Sequence, residues 1–69
     1  MVNKKEVRYP HGSPGDRGSA DAYYGRPKDP HYYPNGTYNP PRIDEKDMSP
    51  EQIAEYHNGY DNETDRKYH

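Results

Sequence analysis

The chain has no leucine, phenylalanine, tryptophan or cysteine. Its branched aliphatic residues are two valines and two isoleucines in 69 residues, far below the roughly 20% at which a globular interior becomes doubtful. Against this stand nine tyrosines, eight prolines and six glycines. A conventional aliphatic core is therefore excluded, and any interior must be built on tyrosine, which buries a large ring while its hydroxyl seeks a partner. The composition leaves two states open, a marginal mini-fold and a chain that orders on a partner. No stretch approaches the ~20 apolar residues of a membrane span. Without cysteine there is no disulfide and no thiolate zinc site.

Two helix starts are written into the sequence. Ser49-Pro50-Glu51-Gln52 places a hydroxyl at the N-cap, proline at the first helical position and glutamine where it closes a capping box. Met48 and Ile53 have the spacing of a hydrophobic staple. Ile53, Tyr56 and Tyr60 then share one face. The predicted helix covers about residues 49–66, with Gly59 weakening its middle or ending it. Ser13-Pro14-Gly15-Asp16 repeats the start, and Gly25 followed by Pro27 supplies a stop, so the other predicted helix covers about 14–24. Its expected buried stripe is Ala20, Tyr23 and Tyr24. The expected core is one of Tyr23 and Tyr24, together with Tyr56 and Tyr60.

Residues 26–47 hold five prolines and three tyrosines and read as an extended, ring-stacked connector with a turn at Asn35-Gly36. Residues 1–12 read as a flexible basic arm. The expectation is a single small domain, 1–69, of mainly α class, with two short helices joined by an irregular Tyr/Pro-rich connector. The first ten residues carry charge with no apolar run behind them, so we read no secretory signal and expect a cytoplasmic protein. In that setting the two Asn-x-Thr triplets at Asn35 and Asn62 are chance matches to a glycosylation acceptor.

Charge is uneven. Residues 1–28 carry six Lys or Arg against three acids, and residues 29–69 carry four against nine. The four histidines are scattered, and Asp44, Glu45 and Asp47 lack the spacing of a calcium loop. There is no nucleophile elbow, phosphate loop or dinucleotide fingerprint. A chain this short with no such motif reads as a non-catalytic binding protein, with no cofactor and no metal. Its chemistry-bearing pattern is an interleaving of basic and aromatic residues. Arg8, Arg17, Arg26 and Lys28 are candidates for phosphate or partner contact. Tyr23, Tyr24, Tyr32, Tyr33 and Tyr38 are candidates for an aromatic partner surface. Rings of this kind stack on unpaired bases, and the same residue types dominate protein-interface hot spots. The pattern thus fits a protein or a nucleic-acid partner. A tyrosine-faced helix this short also admits a homodimer.

Arg17-Gly18 and Gly25-Arg26, six residues apart, resemble the first helix of the bacterial ribosome modulation factor family. Asn58-Gly59-Tyr60 followed by Asp65-Arg66 is similar to that family's second helix. The string from Gly12 to Gly59, with Tyr-Tyr-Gly-Arg-Pro and Pro-His-Tyr-Tyr, also resembles small proteins of tailed phages. The resemblance implies two helices and modulation of a large host machine, the ribosome first, with a host protein or ribonucleoprotein as partner and ribosomal RNA among the candidates. The alternative is a phage accessory protein that inhibits a host enzyme or a defence or transcription factor by protein contact, without nucleic acid. This chain departs from the strongly basic family in its net charge of −2, and multi-phosphate contact is largely electrostatic.

Overall fold

The structure, a computed structural model, describes residues 9–65. Helix α1 spans Pro14–Tyr23. Ser13 caps it, its hydroxyl accepting from the Asp16 backbone N–H at 3.3 Å, and the Asp16 carboxylate reaches back to accept from Gly12 N–H at 2.9 Å. Two orphan donors at the helix start are thereby satisfied. At the other end Gly25 adopts φ +72°, and the Gly25 and Arg26 N–H groups donate to the carbonyls of Ala22 and Asp21. This is a Schellman closure, and glycine is the residue that takes its left-handed position without strain.

Helix α2 spans Pro50–Asp61 and opens on the full capping box: Ser49 Oγ accepts from Gln52 N–H at 3.1 Å, and Gln52 Oε1 accepts from Ser49 N–H at 2.9 Å. Met48, just before the cap, is buried. The helix passes through Gly59 and ends at the Asn62 cap, short of the expected residue 66. Asn62, Thr64 and Asp65 are poor helix formers. Glu63 also finds other work, its carboxylate accepting from the Ser19 hydroxyl of α1 and from Asp65 N–H.

The connector is less extended than expected. His31–Tyr32 (β1) and Ile43–Asp44 (β2) form a two-residue antiparallel ladder pairing His31 with Asp44 and Tyr32 with Ile43. Between them the chain turns twice, with Gly36 N–H donating to Tyr33 O and Asn39 N–H to Gly36 O. The Pro40–Pro41 peptide is cis. Ring contacts link His31, Tyr33 and Tyr38. A single 3₁₀ turn, Glu45–Asp47, leads into α2.

The two helices pack on glycine. A Cβ placed on Gly18 would lie within 3.0 Å of the Tyr56 carbonyl and the Tyr60 nitrogen, and one on Gly59 would collide with the backbone of Gly15. Glu55 accepts from Gly15 N–H at 3.0 Å, placing a carboxylate on the positive end of α1. The inward face of α1 is Pro14, Gly15, Arg17, Gly18, Asp21 and Ala22. This corrects the expected stripe. Tyr23 and Tyr24 are 37% and 44% exposed, and Ala20 is half-buried. Where backbones approach this closely no tyrosine ring fits between them, so the rings of α1 turn outward.

Tyr56 is fully buried and is the centre of the interior, with Ala22 and Met48. Tyr60 is half-buried and packs its ring 6.2 Å from that of Tyr56. Residues 1–8 of the expected basic arm, Arg8 included, lie outside the described residues. Residues 9–12 belong to the body: the Tyr9 ring lies against Gly15, and Ser13 N–H donates to Pro10 O. No helix among the described residues is long and apolar enough to cross a membrane.

Candidate functional site

The interior that replaces an aliphatic core is a polar network. The Tyr56 hydroxyl donates to Asp21 Oδ2 at 2.5 Å and accepts from Asp29 N–H at 3.0 Å. Asp21, only 4% exposed, accepts on its other oxygen from Arg26 Nη1 at 3.2 Å. Burial pushes the Tyr56 phenol above its ordinary value, and the bond to the Asp21 carboxylate adds to the shift. The Arg26 guanidinium is likewise raised, chiefly by its hydrogen bond to Asp21.

His31 lies against this network, also 4% exposed. Its Nδ1 is 2.6 Å from the Asp29 carbonyl, which can only accept, so Nδ1 carries the proton. Nε2 is then the acceptor for Arg17 Nε–H at 3.4 Å. The partners thus assign a neutral imidazole with one tautomer. The Arg17 guanidinium, on the inward face of α1, stands 5.3 Å from the Tyr38 ring centroid and 5.9 Å from that of Tyr33.

These groups open onto a cleft of about 340 Å³. It is lined by the buried Arg17, Asp21 and His31 and by Tyr33 and Tyr38. Arg26, Asp29 and Arg42 also line it. Arg42 donates to Asp44 at 2.6 Å and to Asp29 at 2.8 Å. Those two bonds, Asp44 first, raise its guanidinium further above the ordinary range, and Arg42 in turn holds the Asp44 carboxyl below its usual value. The arrangement offers guanidinium N–H groups and aromatic faces to whatever polar group enters.

Of the nine residues singled out in the sequence, Arg17, Arg26, Tyr33 and Tyr38 converge on this cleft. Arg17 is not the surface cation its sequence context suggested, since it is only 5% exposed. Lys28 lies outside the cleft, paired with Asp61 at 2.9 Å and standing over the Tyr60 ring. Tyr23 and Tyr24 form an edge-to-face pair on the surface, with the Arg26 guanidinium 4.9 Å from the Tyr24 ring. Tyr32 faces α2, its hydroxyl accepting from Gln52 Nε2 at 3.2 Å. Asp21, Asp29, His31 and Arg42 were missed. The signal for Arg42 was its spacing from Asp44, two residues on, which in extended backbone puts the two side chains on one side.

No protein-family model, curated protein or solved structure matches this chain.

Proposed function

We propose that the protein is a small non-catalytic binding protein that modulates a large host machine through protein contact. Charge pairing carries this reading. Each of the five Lys and Arg residues among the described residues lies within 4.0 Å of a carboxylate. Residues 9–65 hold eleven acids against those five cations. A phosphate backbone meets repulsion from such a body, whereas a basic protein surface meets attraction that speeds and orients encounter. The exposed rings of Tyr23, Tyr24 and Tyr38 supply the kind of contact area on which interfaces concentrate their energy.

A second reading, modulation of the ribosome with direct RNA contact, is supported by one juxtaposition. The two segments that resemble the ribosome modulation factor family meet in space, Gly18 against the Tyr56–Tyr60 backbone and Gly59 against Gly15. In that reading RNA contact falls largely to Lys4, Lys5, Arg8, Arg66 and Lys67, half of the chain's ten cations.

Affinity capture from host lysate, with and without RNase and across a salt series, separates the two. Protein contact gives a defined partner that survives RNase and is weakened by a joint Glu45→Gln, Asp47→Asn, Glu51→Gln variant. RNA contact gives ribosomal components that vanish with RNase. Its affinity would also fall ~10³–10⁵-fold between 50 and 200 mM salt if six to ten phosphates were engaged. That second pattern would overturn the first reading.

A further inference from the structure

We infer that the Arg17–Tyr38 cleft is a binding site for a small oxyanion, a carboxylate or a phosphate ester. The inference holds whichever macromolecule the protein engages.

Three observations carry it. The first is Arg17. Its side chain is 7% exposed, and its Nε is spent on His31. Its terminal nitrogens have no hydrogen-bond acceptor among the described residues, the nearest carboxylate oxygen, on Asp16, being 3.8 Å from Nη1. They line the cleft with the planar edge that matches a carboxylate or phosphate.

The second is local charge. The cleft is lined by three guanidinium groups and two carboxylates, while Asp16 and Asp44, which stand by Arg17 and Arg42, are not among its lining. The whole of residues 9–65 is strongly acidic. The cleft thus gathers three of the five cations of residues 9–65, and Arg26 and Arg42 stand at its rim, each half in solvent.

The third is Tyr38. Its backbone sits at φ +67°, a conformation that a bulky residue rarely adopts. The flanking turn holds it there, with Asn39 N–H donating to Gly36 O and the Asn39 side-chain amide to Asn35 O. The result is a tyrosine 68% exposed whose ring is nonetheless kept against the Arg17 guanidinium at the cleft wall. Backbone strain of this kind is retained where it positions a side chain for a ligand. The cleft, about 340 Å³, has room for a small anion.

The test is a titration of the full chain with inorganic phosphate and, separately, with benzoate, at constant ionic strength. The readout is the arginine Nε–H cross-peaks in ¹H–¹⁵N spectra together with tyrosine fluorescence. The expected result is a saturable shift of the Arg17 cross-peak with at least one of the two. The tighter of them identifies the ligand as phosphate-like or carboxylate-like. Arg17 is left intact because it is part of the interior, and the variants are made at the rim. Arg42→Gln and Tyr38→Gly, each checked by circular dichroism to keep the fold, are expected to weaken binding at least tenfold. The inference is overturned if neither anion gives a saturable shift, or if both variants bind as the parent does.

Discussion

Replacing Gly18 by alanine is expected to destabilise the fold, although in an isolated helix the same change stabilises. Glycine inside a helix costs ~1 kcal/mol relative to alanine, so propensity alone would raise the melting temperature. In this protein the added Cβ falls within 3.0 Å of the Tyr56 carbonyl and the Tyr60 nitrogen, both backbone atoms that cannot rotate away. The helices must part by roughly 1.4 Å to bring the closest of these, the Tyr56 carbonyl oxygen at 2.1 Å, to ordinary contact near ~3.5 Å. Overpacking of this kind costs about 1–3 kcal/mol, and backbone opposition puts Gly18 at the upper end. The net loss after the propensity gain is ~1–2 kcal/mol. That is a large share of the ~3–5 kcal/mol a core this small can supply. At about 4–8 °C per kcal/mol, the melting temperature falls by on the order of 10 °C. Thermal melting followed by far-ultraviolet circular dichroism reads this directly. Gly59→Ala, whose Cβ would strike the Gly15 backbone, is expected to behave alike. The double variant should lose less than the sum, because one separation of the helices relieves both clashes. A Gly18→Ala protein that melts at or above the parent temperature refutes the close-packed helix pair.

Three further outcomes follow from the interior and the caps. Tyr56→Phe leaves Asp21 Oδ2 without its donor and Asp29 N–H without its acceptor, and is expected to lose ~1–3 kcal/mol in urea unfolding. Because Tyr56 ionises at higher pH in the folded chain than the ordinary ~10 of an unfolded tyrosine, its contribution is fully present below pH ~10. That contribution is lost as pH rises above ~10. Melting temperatures should therefore fall on that side, with one tyrosine absorbing as phenolate only on unfolding, and Tyr56→Phe should flatten the dependence. Ser49→Ala removes one half of the α2 capping box and is expected to lose ~1 kcal/mol, while an Ala at exposed Glu51 should change little.

Local chemistry was legible in the sequence. Ser13 and Ser49 start their helices as caps, Gly25 closes α1, and Tyr56 is interior, because each of these depends on neighbours within a few residues. The inward face of α1 was not legible. Polarity places Arg17 and Asp21 outside and Tyr23 and Tyr24 inside. The structure reverses this because the partners that hydrogen-bond the polar pair, His31 and Tyr56, are brought in from 14 and 35 residues away. Gly18 and Gly59 read as weaknesses of single helices, and only the pairing of the two helices turns them into the contact that holds both. Half of the candidate site was legible for the same reason: Arg17, Arg26, Tyr33 and Tyr38 lie in one basic-aromatic stretch, whereas Arg42 joins them only through the β1–β2 ladder.

The central claim is that a chain almost without aliphatic residues folds by backbone-to-backbone packing of two helices around a buried tyrosine. Nuclear Overhauser spectroscopy on the free protein in dilute solution tests it most directly. The expected result is cross-peaks from the Gly18 α-protons to Tyr56 and Tyr60, and from Gly15 to Gly59, together with an upfield-shifted, slowly flipping Tyr56 ring. Helical shifts in 14–23 and 50–61 with no cross-peak between the two segments, or random-coil shifts throughout, would contradict it.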